Sequence, residues 1–544
     1  MIKIIFYFLV MNLPNLIMVM RHQDYLIILI FNICLSLIVL FLIRSTKNLV
    51  FIIPFFVLMP LAAYYAFAYD SPIDEFVLSV VLDTSLAEVK SFFGDSLYFI
   101  IPFSFLWFGL VSYLFLIKKN SWNFSIYERS EYKVFCAILL TGLCIGGSYI
   151  PKKDKTELLD MVETTFPLGV ILNSYSFTKE MIRMHKAQNQ IKNFRFGATQ
   201  PLIPEKQVVV LVIGETGRRD HWQINGYGRN TTPLLSKQAN LLNAPDMLSL
   251  APATIVSIPM MITRKPESSL YKYYFDEPSV VKVFKEVGFK TYWISTQQEV
   301  SSFDSLTSVY AKDADEVVFF NHTTSRTERD MDDVLIPQFD KILSNPDQKQ
   351  LIVIHTLGSH QQYNRRNPRS FNKFSPSLDD INEYNPKSVK YKQHSTNSYD
   401  NTVVFTDYVL NTFIEHLKAK NALSFMLYAA DHGEDLFDGE CEKSGHGNST
   451  VYNFKIPAFV WVSEEYKNYF PDKYSALKEN INKKINHTSI FPTLVNSMNL
   501  HIPNYSADRS LVNELKPYKR LVLNQIDYDK TKPIGKCLEL DSLH

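Results

Sequence analysis

The sequence runs to 544 residues, more than one hydrophobic core usually supports, so two or more domains are expected. Its 56 Lys and Arg balance 55 Asp and Glu for a formal net charge of +1, which leaves no electrostatic bias for a nucleic-acid partner. The five cysteines are too few for a disulfide scaffold.

Apolar residues crowd into the first 150 positions. Four stretches there have the length and composition of spanning helices: Tyr25 to Ile43, Leu49 to Ala68, Leu97 to Ile117 and Val134 to Ile150. The first twenty residues are a fifth candidate, interrupted by Asn12, Pro14 and Asn15. The alternative, a cleaved signal peptide, lacks a small-residue cleavage site after the apolar run. Five spans put Lys3, Arg44, Lys47, Lys118, Lys119, Arg129 and Lys133 on the cytoplasmic side, as the charge bias of short loops predicts. Lys152, Lys153 and Lys155 run against that orientation. The segment with Asp70, Asp74, Glu75, Asp83 and Glu88 reads as an external loop. Residues 1–150 are thus expected to form an all-α transmembrane domain with the C-terminal part outside.

Residues 151–205 are polar, and Leu172, Tyr175, Lys179, Ile182 and Lys186 share one face of a helix. Two readings stay open: an amphipathic bridge along the membrane surface, or a linker helix packed on the soluble domain.

Residues 206–544 alternate short β-branched runs with helical patterns, as an α/β domain with a largely parallel sheet does. Three runs end in residues that can do chemistry. Val208 to Ile213 leads to Glu215; Leu351 to Ile354 leads to His355 and, after a Gly-Ser turn, His360; Phe425 to Ala430 leads to Asp431 and His432. Open α/β sheets bind ligands beyond the carboxyl ends of their strands. Together Glu215, Asp431 and His432 offer oxygen and imidazole donors suited to tetrahedral zinc with one place left open. His360 and His446 suit outer or phosphate-binding positions. Thr254 opens a helical pattern, where free backbone N–H groups favour a phosphate; its bland reading is an N-cap. Cys441 and Cys537 are the only cysteines after residue 150. An oxidising compartment would allow them to pair, but sequence gives no distance between them.

Gly214 to His221, continuing through Asn225-Gly226-Tyr227 to Arg229-Asn230-Thr231-Thr232-Pro233, closely resembles the opening motif of phosphoethanolamine transferases. These are membrane-anchored members of the alkaline phosphatase and sulfatase superfamily. The likeness extends to Thr254–Pro259, His355–His360, Tyr399–Thr402 with Asp407-Tyr408, and Asp431–Glu434 with His446-Gly447. It covers about residues 205–500, preceded by five spans as in the family. It implies an alkaline-phosphatase-like α/β domain on the periplasmic side of a bacterial inner membrane.

Position by position, the resemblance makes Glu215, Thr254, Asp431 and His432 the zinc ligands and Thr254 the nucleophile. It places His360 and His446 around the transferred phosphate or a second zinc, and Glu88 at the lipid substrate. The implied reaction takes phosphoethanolamine from phosphatidylethanolamine onto Thr254 and passes it to a lipooligosaccharide or lipid A acceptor. Met260 stands where many relatives have cysteine, and Tyr292 to Gln298 lacks the Asn- and Lys-bearing stretch of the lipid A enzymes. Both features favour a core-sugar acceptor.

Three rivals share parts of this pattern. A sulfatase needs a cysteine or serine, convertible to formylglycine, where Thr254 stands. A phosphoglycerol transferase of the lipoteichoic-acid type fits the opening motif less well. A non-catalytic membrane scaffold would not need candidate ligands at every strand end.

Overall fold

A computed structural model describes residues 2–21, 53–69, scattered positions elsewhere up to 162, and 165–540 apart from 273–276, 299–305, 322–330, 382–387 and 524. The chain separates into two compact units, one within Met1–Leu82 and Ser96–Glu180, the other within Asp83–Asp95 and Met181–His544.

In the first unit, helices α1 (Ile2–Arg21) and α2 (Ile53–Tyr69) pack against each other. The amides that interrupt the first apolar stretch have partners, as buried amides must. Asn15 donates to the carbonyl of Phe166 at 2.8 Å and accepts from its N–H at 2.9 Å. Asn32 donates to Met11 O and to Asn12 Oδ1. Among the described residues, no helix is long and apolar enough to cross a membrane. Glu88 and most of the stretches expected to span lie outside the described residues. In α3 (Leu168–Ile191) Tyr175, Lys179, Ile182 and Lys186 are all exposed, while Val170, Asn173 and Phe177 are buried.

The second unit is built on a seven-stranded sheet. Its strands are β1 (Gln207–Gly214), β2 (Leu241–Asn243), β3 (Lys290–Gln298), β4 (Glu316–Asn321), β5 (Lys349–His355), β6 (Leu423–Ala430) and β7 (Ala458–Val462). The spatial order is β2-β7-β6-β1-β5-β3-β4. The strands from β6 to β4 pair in parallel, and β7 and β2 form an antiparallel edge.

A parallel sheet is covered on both faces, so its strands are continuously apolar. In β1, Val209, Leu211 and Ile213 face one core with α4 (Thr254–Ile262), α5 (Val280–Glu286) and α8 (Ile490–Ser497). Val208, Val210 and Val212 face the other, with α6 (Leu335–Leu343) and α7 (Lys392–Lys418). The register sets Ile213 beside His355 and Gly214 beside Ala430. Glu215, His355 and Asp431 therefore emerge at one level of one sheet edge.

Cys441 and Cys537 are bridged, with Cα atoms 4.7 Å apart across a separation of 96 residues. The bridge ties the connection between Glu434 and His446 to the segment around Leu538, which Lys443 also reaches by an ion pair to Glu539.

Candidate metal centre and nucleophile

The turn after β1 is held in a conformation that L-residues rarely adopt. Thr216 has φ +55°, a genuine outlier for a β-branched residue. Its carbonyl accepts from Tyr399 Oη at 2.7 Å, and Tyr399 Oη in turn accepts from Arg218 N at 2.7 Å. Tyr399 comes from the buried middle of α7, so the turn is fixed to a helix 183 residues away in sequence. On the opposite side Ser359 N donates to Glu215 O at 3.0 Å. Gly358 lies so close that a methyl group there would fall 2.5 Å from that same carbonyl oxygen. Asp332 holds the β5 turn, accepting from the N–H groups of Leu357 and Gly358 and from the Thr296 hydroxyl.

Glu215, Asp431 and His432 come together in one buried cluster. His432 Nε2 lies 3.4 Å from Asp431 Oδ2 and 3.5 Å from Glu215 Oε1. The hydroxyl of Thr254 lies 3.1 Å from Glu215 Oε2 and 3.2 Å from His432 Nε2. Asp431 Oδ1 accepts two backbone N–H bonds, from Thr216 and His432, whereas Oδ2 is buried with no hydrogen-bond partner among the described residues. His432 Nδ1 faces the Gly433 carbonyl at 2.9 Å. A carbonyl only accepts, so Nδ1 carries the proton and Nε2 turns its lone pair to the cluster.

These donors fit zinc. Zinc takes nitrogen and oxygen ligands at about 2.0–2.2 Å in a tetrahedron, whose edges are then roughly 3.4 Å. The observed separations match that edge.

Electrostatics point the same way. Burial, reinforced by the Asp431 charge, raises the pKa of Glu215 well above the carboxylate range. Burial opposes ionisation of Asp431 too, but His432, the Thr254 hydroxyl and the Thr216 N–H outweigh it and hold its pKa down. Burial likewise lowers the pKa of His432. Two buried carboxyl groups that disfavour each other's charge, beside an imidazole whose charged form is also disfavoured, make a site where a bound cation relieves the conflict.

Thr254 is the first residue of α4, and Ala253 is the N-cap. Its hydroxyl bonds to side chains across the site and makes no cap bond, so the N-cap reading fails.

His360 and His446 meet beside the cluster, both half-buried, with ring centroids 5.4 Å apart; the His446 ring lies 4.5 Å from that of His432. His446 Nδ1 is 3.2 Å from Glu434 Oε2, and Tyr363 Oη donates to Glu434 Oε1 at 2.6 Å. His432, Glu434 and His446 form a second group close enough to hold a metal. Gly433 is required here, because a methyl group on it would lie 2.1 Å from Tyr452 O. His355 is not brought into either group. It is buried edge-on to Trp293, with neither ring nitrogen hydrogen-bonded among the described residues. Gln297, legible in the sequence only as a departure from the lipid A enzymes, donates to Glu215 Oε2 at 3.2 Å and to Thr356 O at 3.1 Å.

Burial lowers the pKa of both His355 and His487 from 6.5 to about 4. As pH falls the unfolded chain takes up these protons first. The stability is therefore complete above about 6.5 and is lost between there and about 4. His487 Nε2 bonds Ala430 O at 2.9 Å, a contact a glutamine amide can replace. Thermal melts of the metal-free protein should show the histidine share as a difference, wild type losing more Tm across this window than His487→Gln. Parallel curves for the two proteins would contradict this origin.

A sulfatase family model matches residues 207–500. The chain belongs to the sulfatase family. Within this family it is a relative of the phosphoethanolamine transferases. It is 26% identical over 505 residues to phosphoethanolamine transferase EptC of Escherichia coli (strain K12), covering 87% of this chain and 84% of that protein. It is 30% identical over 327 residues to the Kdo(2)-lipid A phosphoethanolamine 7''-transferase of Salmonella typhimurium, covering 57% of this chain and 54% of that one. Among solved structures, the sulfatase-family unit resembles the zinc complex of the C-terminal periplasmic domain of EptC from E. coli. The identity there is 28% and the TM-score 0.56, covering 63% of this chain and 97% of that one. The integral membrane protein EptA from Neisseria meningitidis shares the fold over 93% of this chain and 97% of its own, at TM-score 0.73 and 20% identity.

Proposed function

We propose that the protein is a zinc-dependent phosphoethanolamine transferase of a bacterial inner membrane. It takes the group from phosphatidylethanolamine onto Thr254 and delivers it to a lipopolysaccharide-type acceptor. The observation that carries this reading is the Thr254 hydroxyl, about 3 Å from both Glu215 and His432 at the start of α4. Support for the membrane setting comes from the fold shared with an integral membrane protein and from the apolar first 150 residues.

Glu215, Asp431, His432 and Thr254 would hold the zinc, which when bound supplies a lowered hydroxyl pKa and neutralises phosphoryl charge. Thr254 Oγ1 attacks the phosphorus of the donor. The bond from phosphorus to the diacylglycerol oxygen breaks, and that oxygen leaves with the proton given up by the hydroxyl. His360 and His446 bind the phosphoryl oxygens at the open side of the site. A hydroxyl of the acceptor then attacks the same phosphorus and restores Thr254. Gln297 in place of the Asn- and Lys-bearing stretch, and Met260 next to Pro259, favour a core sugar over a lipid A phosphate as acceptor. Threonine cannot be converted to formylglycine, which counts against sulfate-ester hydrolysis. Glu88 is read as a contact to the lipid donor.

Incubation with phosphatidylethanolamine and no acceptor tests the reaction. Intact-protein mass should rise by one phosphoethanolamine, mapped to the peptide containing Thr254. An adduct on another residue would overturn the assignment. Phosphoethanolamine found only on lipid A, in cells with and without the protein, would overturn the acceptor.

We read residues 1–150 as the membrane domain, 151–205 as the bridge and 206–544 as the periplasmic catalytic domain. Residues 205–544 expressed alone should give a soluble protein that binds zinc. An insoluble or zinc-free product under native conditions would refute that division.

A further inference from the structure

The assignment of Glu215 and Asp431 as ligands leaves open what aims two buried, mutually repelling carboxyl groups at one point. Both are reached by a single residue. The Thr216 hydroxyl donates to Glu215 Oε1 at 2.6 Å, and the Thr216 N–H donates to Asp431 Oδ1 at 2.9 Å. Thr216 is fully buried and sits at φ +55°. Glycine or asparagine would occupy that backbone at less cost. Retention of a threonine in a strained position at a candidate site calls for a use of its side chain.

The two bonds have complementary effects. On Asp431, Thr216 N–H shares Oδ1 with His432 N–H, so the lone pairs of Oδ1 are spent and Oδ2 is left bare beside His432 Nε2. On Glu215, the hydroxyl fixes the plane of the carboxylate while Gln297 and Thr254 donate to Oε2. The left-handed turn lets one residue's N–H and hydroxyl reach ligands from two different strand ends. The carbonyl bond from Tyr399 keeps the turn in that state.

We propose that Thr216 is a positioning residue for the metal centre, orienting Glu215 through its hydroxyl and Asp431 through its backbone N–H. This rests on the reading of Glu215, Asp431 and His432 as zinc ligands. Partners that orient metal ligands are worth about 10- to 100-fold in metal affinity.

The test is competition for zinc between the full-length protein and a chromophoric chelator, read alongside the melting temperature of the metal-free protein. Thr216→Val keeps the β-branched shape and the N–H and loses only the hydroxyl. It should bind zinc about 10- to 100-fold more weakly. Thr216→Ser restores the hydroxyl and should return to within about threefold of wild type. Thr216→Gly suits the left-handed backbone, so it folds even where valine does not. It should lose affinity as valine does while its metal-free melting temperature does not fall. Wild-type affinity in the valine or glycine variant, or a serine variant as weak as valine, would overturn the proposal. Failure of the wild type to bind zinc would instead remove the underlying reading of the site.

Discussion

In Thr254→Ala, phosphoethanolamine transfer falls by on the order of 10⁴-fold or more, the scale of losing a covalent nucleophile. The loss is specific to chemistry. The alanine keeps the helix start, since Ala253 rather than Thr254 is the N-cap. On the proposed assignment Glu215, Asp431 and His432 remain as three protein ligands, so zinc should stay largely bound. Thr254→Ser keeps the hydroxyl and loses only a methyl group from a half-buried position, so part of the activity survives. Full activity in the alanine variant, or complete loss of zinc with it, would remove Thr254 from the role of nucleophile.

Glu215→Gln has the opposite profile. Zinc affinity should fall beyond the roughly 100-fold that an outer partner costs, and activity should go with it. The metal-free protein, however, should melt no lower than wild type. Burial and the neighbouring Asp431 already raise the Glu215 pKa well above its usual range, so without metal its charge is held at a cost. A neutral amide of the same shape, its oxygen kept toward the Thr216 hydroxyl, gives up the bond from Gln297 and in exchange abolishes the like-charge conflict with Asp431. Function and stability are thus set against each other at one residue. Equilibrium dialysis against zinc and thermal melts check the two halves. Wild-type zinc binding, or a metal-free Tm several degrees lower, would refute the argument.

Much of this cluster is legible in sequence because its members follow strand ends. Apolar runs such as Val208–Ile213 and Phe425–Ala430 announce buried parallel strands, and the sheet then delivers whatever follows them to one edge. Glu215, Asp431 and His432 need no further information. His355 shows the limit of that logic. It also ends a strand, but its side chain falls on the face packed against Trp293, and composition does not say which face a terminal residue takes. Thr216, Gln297 and Tyr399 escape a sequence reading for another reason. Each has a partner far off in sequence, 215, 82 and 183 residues away, and a left-handed threonine leaves no mark on local pattern. The pairing of Cys441 with Cys537 also needs the three-dimensional distance. Asn15 reads in sequence only as a flaw in an apolar stretch, and it proves to be matched to the backbone of Phe166.

The bond from His432 Nδ1 to the Gly433 carbonyl sets an order of loading. With that nitrogen spent, the ring has one lone pair to give, and His432 is a member of both candidate groups, with Glu215 and Asp431 or with Glu434 and His446. Two ions cannot both claim it. On the proposed assignment the fully buried trio should take the first equivalent, and any later ion has only Glu434 and the half-exposed histidines to hold it. A zinc titration of this protein is therefore expected to be graded, one tight equivalent followed by weak ones that a mild chelator strips first.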